Sequence, residues 1–183
     1  LSLLYYSLSP KQWNPEEMFF RVSCIKCNSM VRLKTFFVFF ILNFGGLFLG
    51  GLFTGSGVSS EWYSSLNQAP WTPPGWVFGA AWTSIMFCFT FYLTRIYIAS
   101  SKRKNLILLY SVQWLLNVFW NPIFFHFHFI ALGLLTIFLL TAVLICFFIL
   151  FTKRNYLNKA LILPYIIWLI IATSLNSYIY FNN

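Results

Sequence analysis

Amide side chains within an apolar stretch are the residues of this sequence that point most directly to a chemical role. Gln113, Asn117 and Asn121 are four residues apart, so on a helix they form one stripe. Trp168 and Asn176 share a face of a later helix in the same way. Because lipid offers such groups no partner, they must face a cavity or a neighbouring helix. Two interpretations stay open: hydrogen bonds between helices, worth ~0.6–2 kcal/mol each, or a ligand pocket.

The pocket that these residues would form has a definite chemistry. Phe78 and Trp82 are four residues apart and share one helix face. Together with the amides they predict an apolar, aromatic pocket with a few hydrogen-bonding groups and no fixed charge. Such a pocket suits a large, flat hydrophobic ligand that stacks on tryptophan and is oriented by asparagine. It does not suit an ion pathway, which normally contains an intramembrane charge.

The composition excludes most other classes of protein. The 183 residues are 60% hydrophobic, 22% aromatic and only 8% charged, whereas a soluble domain has about 25% charged residues. A soluble enzyme and a disordered chain are therefore both excluded. The sequence has twelve Lys and Arg, three Glu and no Asp, so mechanisms built on paired carboxylates or an Asp-containing triad are excluded too. Membrane topology explains the basic excess, and no nucleic-acid partner is predicted.

Uncharged stretches, each long enough for one or two membrane spans of about 20 residues, predict the elements that carry these side chains. The fold class is predicted as an all-α integral membrane protein, a bundle of five transmembrane helices. The pattern leaves a homodimer open. The five helices are predicted approximately at residues 35–55, 75–98, 105–125, 130–151 and 160–181.

Basic residues predict the orientation of the bundle. They precede the first span and occupy the loops between spans two and three and between spans four and five. The other two loops and the last residues have no Lys or Arg. The N-terminus is therefore predicted inside and the C-terminus outside.

Residues 1–34 differ in character from residues 35–183, which form the predicted membrane domain. The sequence begins with Leu, and Met30 directly precedes the first apolar run. We expect residues 1–34 to be an N-terminal extension, either disordered or the product of an upstream gene-start assignment.

Cysteine and histidine pairs are the residues that resemble metal ligands. Cys24 and Cys27 are spaced as half of a zinc site, but no second pair lies nearby in the sequence. His126 and His128 flank one phenylalanine and lack a third ligand. We expect no metal site and interpret the two histidines as interfacial side chains. Glu61, the one acidic residue of the membrane domain, is interpreted as a solvated surface charge.

Glycines in the first span predict a close helix contact. Gly46 and Gly50 are four residues apart, as are Gly51 and Gly55. Small residues at this spacing let two backbones approach closely in lipid. The contact is either a homodimer seam or packing within one subunit, and the sequence favours neither.

Three segments together resemble one membrane family. WYSSLNQAPWTPPGWVFGAAWT runs from Trp62 to Thr83, NVFWNPIFF from Asn117 to Phe125, and PYIIWLIIATSLN from Pro164 to Asn176. In this order, across five spans, they resemble the TspO/MBR family of tryptophan-rich sensory and translocator proteins. The resemblance covers residues 35–183.

The resemblance implies a membrane sensor or regulator that binds a tetrapyrrole such as protoporphyrin IX or haem between the helices, under the first loop. It implies no required cofactor, and it implies a location in the cytoplasmic (inner) membrane of a bacterium. The alternatives are an enzyme that degrades porphyrin with light and oxygen through Trp82 and Trp168, and a passive transporter of porphyrins or other lipophiles. Sterol transport is disfavoured, because no basic residue follows Tyr178. The implied ligand-binding residues are Tyr63, Trp71, Pro73, Phe78, Trp82, Asn117, Asn121, Trp168 and Ala172.

Overall fold

The computed structural model describes residues 15–58, 60–152 and 155–183, with the side chains of residues 15–28, 55 and 56 outside the description. Predictions for residues 1–14, Cys24, Cys27, Lys153 and Arg154 therefore lie outside the described residues. In the part that is described, the secondary structure is helical, with these bounds: α1 Pro15–Val58, α2 Glu61–Ser65, α3 Gly75–Ala99, α4 Arg103–Asn121, α5 Ile130–Phe151 and α6 Tyr156–Asn182.

Five of these helices are long and apolar enough to cross a membrane, which confirms the predicted fold class. The spans cover Ser29–Thr54 of α1, all of α3, α4 extended to His126, α5 and α6. The predicted first helix began too late, because α1 starts at Pro15 and not near residue 35. An uncharged stretch of sequence marks only the part of a helix that lipid can surround. The helix itself can extend beyond that stretch into charged sequence. The orientation of the termini stays a prediction.

Local sequence explains where α3 and α6 begin. Two consecutive prolines, Pro73 and Pro74, strongly disfavour a helix interior, and α3 begins at Gly75, directly after them. Asn155 caps α6, since its side-chain oxygen accepts from the backbone N–H groups of Leu157 and Asn158 at 3.0 and 3.3 Å.

The end of α4 widens into a π-helical turn, Pro122–His126. The backbone N–H of Phe127 donates to the carbonyl of Pro122 at 2.9 Å and closes this turn. His128 then adopts a positive φ of 57° and reverses the chain into α5. The turn leaves two consecutive side chains, Phe124 and Phe125, both buried.

Residues 36–183 form one compact unit. Within it the backbones of α3 and α6, α6 and α5, and α5 and α4 pack closely, and α1 completes the ring by side-chain contacts to α3 and α4. Asn43 of α1 joins both neighbours: its amide nitrogen donates to the Thr90 hydroxyl and its oxygen accepts from the Tyr110 hydroxyl, each at 2.9 Å.

Apolar side chains cover the outside of this ring, as a lipid-exposed protein requires. Phe48, Leu108, Phe138 and Leu150 are all more than 60% exposed. The buried core lies between α3, α5 and α6, where Phe89, Tyr92, Leu144, Phe147 and Leu169 are fully buried. The core thus fills one end of the ring and leaves the other end free for a cavity.

Candidate functional site

A cavity of about 580 Å³ lies inside the ring, beneath the connection between α1 and α3. This volume is in the range of pockets that hold drug-sized ligands, about 300–1,000 Å³. The lining side chains are aromatic, aliphatic, hydroxyl or amide groups, and none of the lining residues that the structure describes is Asp, Glu, Lys, Arg or His. Eight of the nine residues implied by the family resemblance line it: Tyr63, Pro73, Phe78, Trp82, Asn117, Asn121, Trp168 and Ala172.

Two tryptophans from different helices reach the same cavity. Trp82 of α3 meets the ring of Tyr165 edge to face, with centroids 5.7 Å apart. Trp168 of α6 meets Phe78 in the same manner at 5.6 Å. Trp168 is only 8% exposed, and its indole N–H has no acceptor among the described residues. A buried donor without a partner costs about 1–3 kcal/mol, so a ligand acceptor at this position would be stabilising.

The amide stripe of α4 serves both of the purposes that the sequence left open. Gln113 donates from its amide nitrogen to the Tyr165 hydroxyl at 2.9 Å, and that hydroxyl donates to the Asn117 oxygen at 3.1 Å. Gln113 is 2% exposed and does not line the cavity. It links α4 to α6, whereas Asn117 lies on the cavity wall and is oriented by the same chain of hydrogen bonds.

Asn121 connects α4 to α1 and forms part of the cavity wall. Its amide oxygen accepts from the Thr54 hydroxyl, and its amide nitrogen donates to the Asn117 carbonyl at 3.3 Å. Gly50 makes this approach possible, because a Cβ at Gly50 would overlap the Asn121 amide.

The glycine motif therefore packs within the subunit, at least over its first half. A Cβ at Gly46 would lie 2.8 Å from the indole nitrogen of Trp114, which donates to the Leu42 carbonyl at 2.8 Å. Gly51 differs, since it lines the cavity and has no atom within 4 Å of its Cβ position. The side-chain environment of Gly55 lies outside the described residues. The homodimer stays a prediction.

The roof of the cavity comes from α2 and the loop after it. Ser60 caps α2 by accepting from the Tyr63 backbone N–H at 3.1 Å. The Tyr63 ring packs edge to face on Phe124 and Phe125, with ring centroids 6.3 and 5.5 Å apart. Burial raises the pKa of the Tyr63 hydroxyl above its usual value near 10. It therefore stays a neutral hydrogen-bonding group at physiological pH.

Trp71 is the one implied residue that the structure places away from the cavity. It is 55% exposed, its indole N–H donates to the Ser174 hydroxyl at 3.3 Å, and its ring contacts Tyr178 at 5.4 Å. Trp71 therefore attaches the loop to the outer side of α6.

Several lining residues were not among those implied by the resemblance. Trp120, Phe124 and Asn176 line the cavity, and all three lie in the segments that carry the resemblance. Within the described ranges, the buried indole N–H of Trp120 has no acceptor and the buried amide oxygen of Asn176 has no donor. Asn176 was detectable, because it continues the four-residue spacing of Trp168 and Ala172. Gln68 and Gly51 carried no such signal.

The histidines lie outside the cavity. His128 stacks on Trp62 with centroids 4.0 Å apart, and His126 contacts Phe53 at 6.0 Å. Glu61 is exposed at the start of α2. Among the described residues no group of three potential metal-ligating side chains lies together.

Comparison with known proteins identifies the family to which this arrangement belongs. The sequence profile of the TspO/MBR family matches residues 36–181, which cover most or all of each of the five spans. The chain belongs to the TspO/MBR family.

Individual TspO/MBR relatives come from bacteria, archaea and mammals. The chain is 31% identical to protein CrtK of Rhodobacter capsulatus over 118 residues, which are 63% of this chain and 74% of CrtK. It is 32% identical to the tryptophan-rich protein TspO of Archaeoglobus fulgidus over 143 residues, 74% and 88% of the two chains. The human translocator protein is 28% identical over 142 residues, 75% and 83% of the two chains.

Family and spans together make this TspO/MBR chain a multi-pass integral membrane protein. Its relatives are named as tryptophan-rich sensory proteins and translocator proteins, which supports a membrane protein of the sensor or regulator kind. The bacterial relatives agree with the predicted location in a bacterial inner membrane.

Proposed function

We propose that this protein is a membrane sensor that binds a tetrapyrrole, of which protoporphyrin IX is the type, inside the cavity. The observation that carries the proposal is the uncharged aromatic cavity of about 580 Å³ in which Trp168 and Trp120 have indole N–H groups without acceptors. A flat macrocycle complements this lining, because it offers a large face to the aromatic rings and nitrogen or oxygen acceptors to the indole N–H groups.

The lining favours a metal-free porphyrin over haem. Haem iron is held by His, Cys, Met or Tyr side chains. The described part of the lining contains none of the first three, and within it Tyr63 is the one residue able to act as an axial ligand. The lining also has no Lys or Arg, so the carboxylates of a porphyrin belong at the roof, near Ser64, Gln68 and Thr72.

Quenching of tryptophan fluorescence by protoporphyrin IX in detergent tests this proposal. Wild type is expected to show saturable binding. Changing Trp82→Phe together with Asn117→Ala removes one stacking ring and one oriented amide, so we expect at least tenfold weaker binding. Trp76→Phe is the matched control, because Trp76 lies on the same helix, is 75% exposed and does not line the cavity. Absence of saturable binding, or equal affinities for the double variant and the control, would contradict the proposal.

Porphyrin breakdown in light is a second candidate, favoured by the presence of both Trp82 and Trp168 in the lining of the cavity. An excited porphyrin passes energy or an electron to dioxygen, and an indole within contact distance is an oxidisable neighbour. This candidate predicts loss of the porphyrin absorbance under illumination in air and the appearance of a new product. The Trp82→Phe and Trp168→Phe variants would abolish the product, and an unchanged rate in both would exclude an enzyme acting through these residues.

A further inference from the structure

One side of the cavity, between α1 and α3, is bordered by glycines. Gly51 of α1 and Gly75 and Gly79 of α3 all line the cavity, and all three are exposed. A Cβ added to any of them would meet no atom within 4 Å. No side chain fills the wall at these three positions, and no neighbouring atom closes the space beside them, so the wall is thinnest here.

The line along which α1 and α3 face each other is called the seam below. Farther from the loop, phenylalanine side chains close this seam. The ring centroids of Phe36 and Phe91 are 4.9 Å apart. Those of Phe40 and Phe44 lie 5.7 and 4.9 Å from the centroid of Phe87. The rings fill the space between α1 and α3 with large apolar surface. The opening is therefore confined to the half of the span that adjoins the loop.

The roof of the cavity is held down on the aqueous side. The Asn183 side chain accepts from the Asn67 backbone N–H at 2.9 Å, and its amide nitrogen donates to the Asn67 carbonyl at 3.4 Å. Gln68 donates to the Tyr63 carbonyl at 2.9 Å and keeps the loop folded over the cavity. A ligand that came from water would have to break these contacts.

The rim of the opening also suits lipid. Thr83 is exposed on α3, four residues after Gly79, and its hydroxyl donates to the Gly79 carbonyl at 2.8 Å. Its hydrogen-bonding capacity is used within the helix, so it adds little polar surface at the rim. Inside, Trp168 is 8% exposed and has an indole N–H without an acceptor, an independent sign that the cavity is built for a ligand.

We infer that the ligand enters this cavity sideways from the bilayer, through the opening between α1 and α3 that Gly51, Gly75 and Gly79 border. The inference rests on the proposed function, since the ligand is taken to be a lipophilic macrocycle dissolved in the membrane. Such a ligand concentrates among the acyl chains and reaches the opening without crossing the loop. The glycines keep the passage wide, because any larger side chain at these positions would project into it.

The test measures how fast protoporphyrin IX, loaded into lipid vesicles, reaches the protein in lipid nanodiscs. Gly51→Leu and Gly79→Leu narrow the opening and should lower the association rate by about tenfold. Because the ligand leaves by the same passage, the dissociation rate should fall with it, and the equilibrium constant should change far less than either rate. Gly45→Leu is the matched control: Gly45 lies on α1, is exposed, has no atom near its Cβ position and does not line the cavity.

Entry from water gives the opposite pattern. Asn183→Ala loosens the roof and would then raise the association rate, while Gly51→Leu would match Gly45→Leu. A leucine that merely occupies the ligand's space would raise the dissociation rate and leave association unchanged. Either pattern would overturn the inference, and both differ from a complete lack of porphyrin binding, which would contradict the proposed function.

A second readout needs no porphyrin. In bilayers with brominated acyl chains, bromine quenches those tryptophans that the chains can approach. Through an open seam the chains reach Trp82, which lines the cavity near Gly79. We expect less quenching in Gly51→Leu than in Gly45→Leu. Equal quenching in the two variants would show that the seam does not connect the cavity to the lipid.

Discussion

The Asn183 side chain forms two hydrogen bonds to the backbone of Asn67, 116 residues earlier. Its amide oxygen accepts from the Asn67 N–H at 2.9 Å, and its amide nitrogen donates to the Asn67 carbonyl at 3.4 Å. The Asn183 amide also donates to the Ile179 carbonyl of its own helix at 2.9 Å, which orients the side chain. The loop over the cavity is thus attached to the end of α6 by a side chain that cannot swing freely.

Asn183→Ala should loosen this loop. Two exposed hydrogen bonds are lost, each worth about 0.5–1.5 kcal/mol, so amide hydrogen exchange in residues 66–72 should accelerate by about fivefold or more. Asn182→Ala is the control, because Asn182 donates only to the Tyr178 carbonyl at 2.8 Å. Equal exchange rates in both variants would mean that the Asn183 contact does not restrain the loop.

Tyr165→Phe should destabilise the bundle. The Tyr165 hydroxyl accepts from Gln113 and donates to Asn117, both buried, so its removal leaves two polar groups unpaired at a cost of about 1–3 kcal/mol. The change should appear as a lower unfolding temperature in detergent. Tyr156→Phe, at a position 87% exposed, should leave that temperature unchanged. A Tyr165→Phe protein as stable as this control would contradict the network.

Gly46→Leu should disrupt the contact between α1 and α4. The Cβ alone would lie 2.8 Å from the Trp114 indole, and such overpacking costs about 1–3 kcal/mol. Gly45→Leu, with nothing near its Cβ position, should fold normally. If Gly46→Leu instead keeps its stability and changes the oligomeric state, then the glycine faces a second subunit.

Haem should bind no more tightly than protoporphyrin IX. The lining offers the iron only the Tyr63 hydroxyl, so we expect dissociation constants within about threefold of each other. Absorption titrations with both ligands measure this. His126→Ala and His128→Ala should leave the haem spectrum unchanged, because neither residue lines the cavity. A spectral change in a histidine variant would place an iron ligand where the structure has none.

Affinity for protoporphyrin IX should not change between pH 6.5 and pH 9. Burial raises the pKa of Tyr63 above 10, so the protonated form persists to higher pH in the folded protein than in a free tyrosine. Its contribution is present throughout this range and is lost only when the pH rises past that raised pKa. A titration step below pH 9 that disappears in Tyr63→Phe would contradict this expectation.

The spans were predictable because hydropathy is a local property: an uncharged run of sufficient length needs no partner to define it. The positions of α3 and α5 matched the prediction to within about one residue, since Pro73 and Pro74 stop a helix locally and the reversal before α5 is short. The early start of α1 was missed because hydropathy reports contact with lipid and not helix formation.

The contacts of the individual side chains depended on residues from other helices. The sequence by itself determined that Gln113 and Asn117 share a helix face, that Gly46 and Gly51 are small, and that Trp71 belongs to an aromatic loop. Only the tertiary structure shows that Gln113 bonds to Tyr165 and that Asn117 lines the cavity. It also shows that Trp114 packs beside Gly46, whereas the space beside Gly51 is open. Trp71 lies outside the cavity and donates to Ser174. The reason is physical: a sequence specifies which groups share a face, while burial and hydrogen bonding depend on what a different helix brings opposite that face.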